Sequence, residues 1–465
     1  MPIAVNESDL VGHGRQRAVM AVMAFLLCGC PSKPLSRATA DGVDSGADEV
    51  TAGDSDKSDA TTADDGNSAT SDSEAEVTSD LEGEAPPALP ILCTQWSVEP
   101  GDLDLGLSAN VEYEAVFAMS MIMPAGAIEA VLRSADGLNH VERVDSTWST
   151  GADLHLGDYA SMGPGPSLFQ VGEQPLGVLY VRSGSAGQIA VVELAPDGLG
   201  AGLFEFDISA PESEPDFTMA AGLDASGTLH VVTVHPETRV LAHWAAAWSD
   251  ILAGAPIEPE LASLIDGTAE DSILSEPSIA ADGEGGFHVA VAQDQIAQEE
   301  GQVRYFKFSA AGLETLSSPE AGAWIFGFAP AVLAIDAVGS PALLVGHHGP
   351  VFDFSEHTLH LYRPELFSLL GSEVDSADGI GASHAMASDV AGRLHFVYPR
   401  YDAGQVTLVY GTISATGVVQ RSTVPGVNVG LTDRMELHVV GSELVLPYWD
   451  RDLKAMSVAR CASDL

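Results

Sequence analysis

Three histidines, His230, His288 and His395, follow the aspartates Asp224, Asp282 and Asp389 in near-copies of one short phrase. Aspartate and histidine are the residues from which metal centres and proton relays are built. A second histidine group, His347-His348 with His357-Thr-Leu-His360, stands between the later copies. On a strand, residues three apart face opposite sides, so His357 and His360 share an ion only across a bulge. A loop site using His347 or His348 is the remaining metal reading for that group. Carboxylate pairs suited to glycoside hydrolysis cannot be singled out among 67 acidic residues. The sequence has no Gly-x-Ser-x-Gly elbow, no phosphate loop, no dinucleotide fingerprint and no Cys/His cluster of metal spacing.

The elements that carry these residues decide between chemistry and packing. Four phrases repeat: Leu223-Asp224-Ala-Ser-Gly227-Thr-Leu-His230, Ala281-Asp282-Gly-Glu-Gly285-Gly-Phe-His288, Ile335-Asp336-Ala-Val-Gly339, and Ser388-Asp389-Val-Ala-Gly392-Arg-Leu-His395. Each joins a small apolar strand to a β-rich strand through Asp-x-x-Gly. Aspartate opens such a turn because its carboxylate accepts from backbone N–H groups just ahead of it, and glycine supplies the positive φ that closes it. A third strand follows, as in Gly187–Leu194, Gly301–Phe308 and Gly404–Tyr410, then a turn ending in Gly198, Gly312 or Gly417, then a weaker fourth strand.

A four-stranded meander recurring every 50 residues or so, with hardly a helix, predicts an all-β array closed into a β-propeller. Seven blades are expected, with six as the alternative. The first unit is read with Glu112–Ala118 and Ala127–Leu132 as its second and third strands, since no Asp-x-x-Gly precedes them. The last unit holds only three strands, Met435–Val440, Glu443–Tyr448 and Leu453–Ala459. A bare strand edge invites aggregation, and Ile91–Val98 is expected to supply the missing outer strand. Cys93 and Cys461 then lie on neighbouring strands, where a disulfide would clasp the ring; two unrelated cysteines are the alternative. Equivalent histidines in different blades are spread around a ring, too far apart to share one ion. They are therefore read as packing between blades and donating hydrogen bonds to the adjacent turn. Asp224, Gly227, Asp282, Gly285, Asp336, Gly339, Asp389 and Gly392 are read as turn residues, with no metal and no cofactor assigned; an acidic ring attracting calcium is the weaker reading.

Arg15, Arg17 and the apolar run Ala18–Leu27 have the form of an export signal too short to span a bilayer. Leu27-Cys28-Gly29-Cys30 resembles the bacterial lipobox. The resemblance implies cleavage after residue 29, lipid on Cys30 and placement at the outer membrane or cell surface. Residues 30–90, rich in Ser, Thr, Ala, Gly and Asp, cannot bury a core and read as a disordered acidic tether. The propeller spans 91–465. The tether holds about 15 of the acidic residues, so the propeller shares in the net charge of −48, which argues against nucleic acid as a partner.

Leu223-Asp224-Ala-Ser-Gly227-Thr-Leu is reminiscent of the Asp box of sialidases, which are propeller enzymes. The glycine comes one residue late, the box aromatic is missing, and the arginine triad that sialidases require has no match among about a dozen propeller arginines. The sequence therefore points to a binding or scaffolding module, monomeric, with an unidentified envelope protein or glycan as partner. A secreted carbohydrate-active propeller enzyme is the alternative. Propellers bind through loops, and two connections look long enough: Asp145–Pro166, with Trp148, His155 and Tyr159, and Ser249–Pro277, with Glu258, Glu260, Asp266, Glu270 and Asp271.

Overall fold

The computed structural model describes residues 93–101 and 118–462, apart from connecting segments such as 154–166, 209–217, 349–356 and 365–371. The export signal, Cys30 and the tether lie outside the described residues. Seven separate antiparallel sheets follow one another along the chain. The first strands of blades 1 to 7 touch one another in chain order, so they form the inner ring of a seven-bladed β-propeller.

Small residues make that convergence feasible. The inner strands read Thr218-Met-Ala-Ala-Gly-Leu223 in blade 3, Ser278-Ile-Ala-Ala281 in blade 4 and Ala385-Met-Ala-Ser388 in blade 6. Serines stitch neighbouring inner strands together. Ser120 accepts from Leu168 N–H at 2.9 Å, Ser167 accepts from Ala221 N–H at 2.8 Å, Ser278 accepts from Leu333 N–H at 3.0 Å, and Ser388 donates to Ile335 O. The described hydrophobic clusters lie at blade seams. One joins Met219, Leu229 and Val231 of blade 3 to Phe169, Leu176 and Val191 of blade 2; another joins Phe396, Tyr398 and Val409 of blade 6 to Leu344, Leu359 and Val374 of blade 5. Each blade thus buries its faces only against its neighbours, so the core is a ring of seams that needs closure.

Closure comes from the N-terminal strand. Trp96–Glu99 pairs antiparallel with Ala455–Ala462, completing the order Trp96–Glu99, Ala455–Ala462, Glu443–Asp450, His438–Val440 in blade 7. Cys93 and Cys461 form a disulfide across this junction, with Cα atoms 6.3 Å apart. Trp96 stacks edge-on to Tyr410 at 5.4 Å, and Glu99 pairs with Arg143 of blade 1. Met121, Leu132 and Trp148 of blade 1 share a core with Val445, Trp449 and Val458 of blade 7, which shuts the circle.

Blade 1 corrects the expected phasing by one strand. Its strands are Ala118–Ile122, Ile128–Ser134, Gly137–Val144 and Thr147–Asp153, so the segment expected to be third is second. Residues 112–117 lie outside the described residues. The Asp-x-x-Gly landmark that phases the other units is missing here, and a β-run without it can be assigned to either neighbouring position. The expected long loops are also shorter than read. Asp145 and Ser146, both with positive φ, form a two-residue hairpin turn into the outer strand of blade 1, where Trp148 is buried. The second segment holds a short helix, Trp248–Leu252, and the outer strand Glu260–Ile265, which contains Glu260. His155, Tyr159, Glu258, Asp266, Glu270 and Asp271 lie outside the described residues.

Candidate functional site

The Asp-x-x-Gly turns sit where the inner strand passes into the second, at one mouth of the channel. Asp282 Oδ1 accepts from Glu284 N–H at 2.9 Å and Gly286 N–H at 2.6 Å; Asp389 Oδ1 accepts from Ala391 and Arg393 N–H, both at 2.9 Å. Gly227, Gly285, Gly339 and Gly392 hold φ between 77° and 89°, which only glycine adopts without strain.

The second carboxylate oxygen anchors the histidine six residues later. His230, His288 and His395 donate Nε2–H to Asp224, Asp282 and Asp389 at 3.2, 3.0 and 3.1 Å. An ionised carboxylate only accepts, so Nδ1 of each ring is left as acceptor. It takes a proton donor from the third strand: His243 Nε2–H, Tyr305 O–H and Tyr410 O–H, respectively. All three donors occupy one register position, opposite the residue two beyond the histidine: Val232, Ala290 and Val397. Blade 1 uses the same diagonal with the roles exchanged, Glu129 accepting from His140 at 2.6 Å across Val131. Blade 5 has Ala342 where the histidine would stand, and Arg363 binds Asp336 at 3.1 Å instead.

These chains are buried and matched to neutral histidine. Burial pulls the pKa values of His230, His288 and His395 down, with the partner aspartates only partly offsetting it. His243, buried against His230, is lowered to about 3. Burial raises Asp282, but hydrogen bonds from His288, Gly286 and Glu284 outweigh it and hold the carboxyl at about 2. The relays of blades 3, 4 and 6 are each closed within one blade and lock a turn to a strand. Among the described residues, no group of three or more His, Cys, Asp or Glu side chains could hold a metal ion. The His347 ring lies 4.3 Å from His360 and accepts from Tyr362 O–H or donates to it at 2.8 Å; His357 pairs opposite His348.

The opposite mouth is different, because the pairing of the inner strands of blades 4, 5 and 6 is interrupted there. In blade 4, Leu274 faces Gln293 and Ser278 faces Ala290, so 275–277 stand against 291–292. In blade 5 the paired stretches are Trp324–Ile325 and Val332–Ile335, and Ile325 faces His347 while Val332 faces Leu344; in blade 6 Ile380 faces Arg400 and Ala385 faces Val397. In blade 4 the extra residue bulges the strand away from its ladder. Ser275 repairs the first break: its hydroxyl accepts from Ala292 N–H at 2.9 Å in place of a backbone carbonyl. In blade 7 the register is kept: Met435 pairs with Tyr448, Glu436 N–H reaches Pro447 O at 3.3 Å, and His438–Val440 pair onward with the second strand. Within the described residues, the inner strands of blades 1 to 3 pair without interruption.

A cavity of about 240 Å³ opens along these breaks. Blade 4 contributes Glu276, Pro277 and Ser278; blade 6 contributes Ser383, His384, Ala385 and Met386; blade 7 contributes Met435, Glu436 and Leu437. His384 donates Nε2–H to Leu344 O of blade 5 at 3.0 Å, which ties the blade 6 bulge to its neighbour. Glu436 Oε1 accepts from Met121 N–H at 3.1 Å, and its Oε2 lies 3.3 Å from His438. The described lining residues thus hold carboxylates, hydroxyls and one imidazole between aliphatic and thioether walls, with no arginine and no tyrosine among them.

Sequence reasoning missed this cleft, although two residues carried a signal. Pro399 and Pro447 lie inside second strands, where a missing N–H is tolerated only beside a gap in the ladder. Pro399 faces the interruption of blade 6 and Pro447 the sparsely paired start of the blade 7 inner strand, and their carbonyls accept from Gly381 N–H at 2.8 Å and Glu436 N–H at 3.3 Å. The third-strand partners Tyr305, Tyr410 and His243 were likewise not singled out, since only register reveals the shared diagonal.

No family model matches the chain, and no curated protein matches it. Solved structures do. A chain of Kuenenia stuttgartiensis hydrazine synthase aligns with 10% identity over 78% of this chain and 100% of its own, TM-score 0.49. The α-L-arabinofuranosidase Arb93A of Fusarium graminearum aligns with 8% identity over 75% and 93%, TM-score 0.40. An Aleuria aurantia lectin in complex with Fucα1-6GlcNAc aligns with 10% identity over 67% and 98%, TM-score 0.36. At these identities the likeness concerns architecture alone.

Proposed function

We propose that this chain is an exported binding module. Cys30 carries a lipid anchor at the outer membrane or cell surface, residues 30–90 form an acidic tether, and the monomeric propeller presents the channel mouth of blades 4 to 7 to a ligand. The partner is an envelope protein or a glycan, with no nucleic acid, metal or cofactor involved. The observation that supports binding over turnover is the lining of the cleft. Propeller glycosidases of the sialidase type need arginine and tyrosine around paired carboxylates, whereas the described residues of this cavity offer Glu276, Glu436, Ser278, Ser383 and His384 among apolar walls. A cavity with few convergent polar groups in an apolar surround is the usual form of a recognition site.

Two experiments test this. A screen of the purified chain against glycans and envelope proteins should yield a saturable ligand without chemical change to it; turnover of sialosides or other glycosides would overturn the reading. Cys30→Ala should move the protein from the membrane to the soluble fraction, and unchanged fractionation would remove the anchor.

A further inference from the structure

The bridge between Cys93 and Cys461 stands on the tether side of the strand that closes the ring, and that order has a mechanical consequence. We infer that the bridge diverts tension arriving along the N-terminal tether past Trp96–Glu99 and into the body of blade 7, an inference that rests on the anchored reading above. Three features lead there.

First, the strand without its bridge would give way from the end that faces the tether. It is four residues long and outermost in blade 7, and its first pair is Trp96 with Cys461. A strand pulled away from a single neighbour at one end loses its ladder bonds one at a time, and no single such bond is strong in water. Second, the other end is pinned. Glu99 pairs with Arg143 of blade 1 and lies 3.5 Å from Arg460, and Gly101 N–H donates to Ser457 Oγ at 2.9 Å. Gly101 runs so close to blade 7 that a Cβ there would come within 1.9 Å of Met456 O. The weak end is therefore the one beside the bridge. Third, the bridge delivers tension to a deep seat. Cys461 is buried on a strand paired along both sides, to Trp96–Glu99 and to Glu443–Asp450. Cys93 is buried too, and its carbonyl accepts from Ser422 Oγ of blade 6 at 3.3 Å. Thr94 and Gln95, which join bridge to strand, are exposed and lie off the bridged path.

Single-molecule stretching of the exported full-length chain tests this, with click-reactive handles replacing Lys57 in the tether and Val390, a turn residue of blade 6 that is 85% exposed. The oxidised protein should show no early extension, its first event being the opening of a blade. The Cys93→Ala/Cys461→Ala double variant should show an added first step of about 25 Å or more at lower force, as residues 94–101 peel free at about 3.3 Å or more each. Should that variant not fold, a specific protease site placed at Thr94-Gln95 decides the matter. Cutting there severs the route through the strand and leaves the bridge, so the first event should keep its force. An early step in the uncut oxidised chain, a folded double variant without one, or a first-event force that falls on cutting overturns the inference. Fractionation of Cys30→Ala reports on the anchor separately. If the anchor fails while the stretching results hold, the bridge still diverts tension and only its lipid source is removed.

Discussion

Replacing Cys93 and Cys461 together by alanine should loosen the ring at one place and by a calculable amount. The disulfide closes a separation of 368 residues, for which the chain-entropy relation gives about 6 kcal/mol at 25 °C. That is a ceiling, since unfolded chains are partly compact and the buried sulfur atoms pack among Leu408, Tyr410 and Leu444. Unfolding entropy of about 2.1 cal/mol/K per residue, over the roughly 370 residues of the propeller, amounts to about 0.8 kcal/mol/K. A loss of about 3 to 6 kcal/mol therefore lowers Tm by roughly 4 to 8 °C. The loss should be local at first. The strand Trp96–Glu99 is four residues long and has one paired neighbour, Ala455–Ala462, so it depends on the bridge more than any inner strand does. Differential scanning calorimetry measures the shift, and hydrogen exchange of the variant should show faster exchange at 96–99 and 455–462 than elsewhere. A Tm within about 1 °C of the parent, or free thiols at both positions in the unreduced protein, would refute the clasp.

Other consequences are equally open to measurement. His395→Ala should destabilise by about 2 to 4 kcal/mol in urea unfolding, because it leaves Asp389 and the Tyr410 hydroxyl without their buried partner and opens a cavity; a change under about 0.5 kcal/mol would show the chain to be ornamental. Arg363→Ala should destabilise blade 5 alone, seen as exchange at the Asp336 turn, since Arg363 fills the histidine's part there. Acid should weaken the fold in two windows. His243 takes a proton at 6.5 when unfolded and only at about 3 when folded, so its stability is whole above pH 6.5 and declines as pH falls, by about 1.4 kcal/mol per pH unit. Asp282 works the same way lower down: its contribution is present above 3.8 and is lost as pH falls toward 2. Urea midpoints at pH 7 and pH 5 should fall accordingly, and His243→Gln should flatten the upper slope; an unchanged slope would contradict the assignment.

The repeat was legible because its turn chemistry is local. Asp-x-x-Gly announces itself in four consecutive residues, so blades 3 to 6 and their second strands follow from the sequence alone. So does the borrowed strand of blade 7, since an incomplete unit at one end and a spare strand at the other leave one solution. Blade 1 was phased wrongly for the converse reason, having no such landmark. The histidine relays were half legible: the turn contact is a matter of spacing, whereas Tyr305, Tyr410 and His243 enter through cross-strand register. The cleft was the hardest feature to foresee. It depends on how many residues bulge out between two paired stretches of an inner strand, and a few residues more or less in a strand of Ala, Ser and Gly leave no periodic trace. Only Pro399 and Pro447 marked the places where the ladder gives way.

The central claim is that ligand enters at the broken inner strands, and the direct measurement is hydrogen exchange of the chain with and without the ligand that a binding screen returns. Protection should concentrate at 275–278, 331–332, 383–386 and 435–437, around the cavity. Protection confined to the Asp turns at 224–228, 282–286 and 389–393, or to the outer strands, would place recognition elsewhere on the ring and contradict the account.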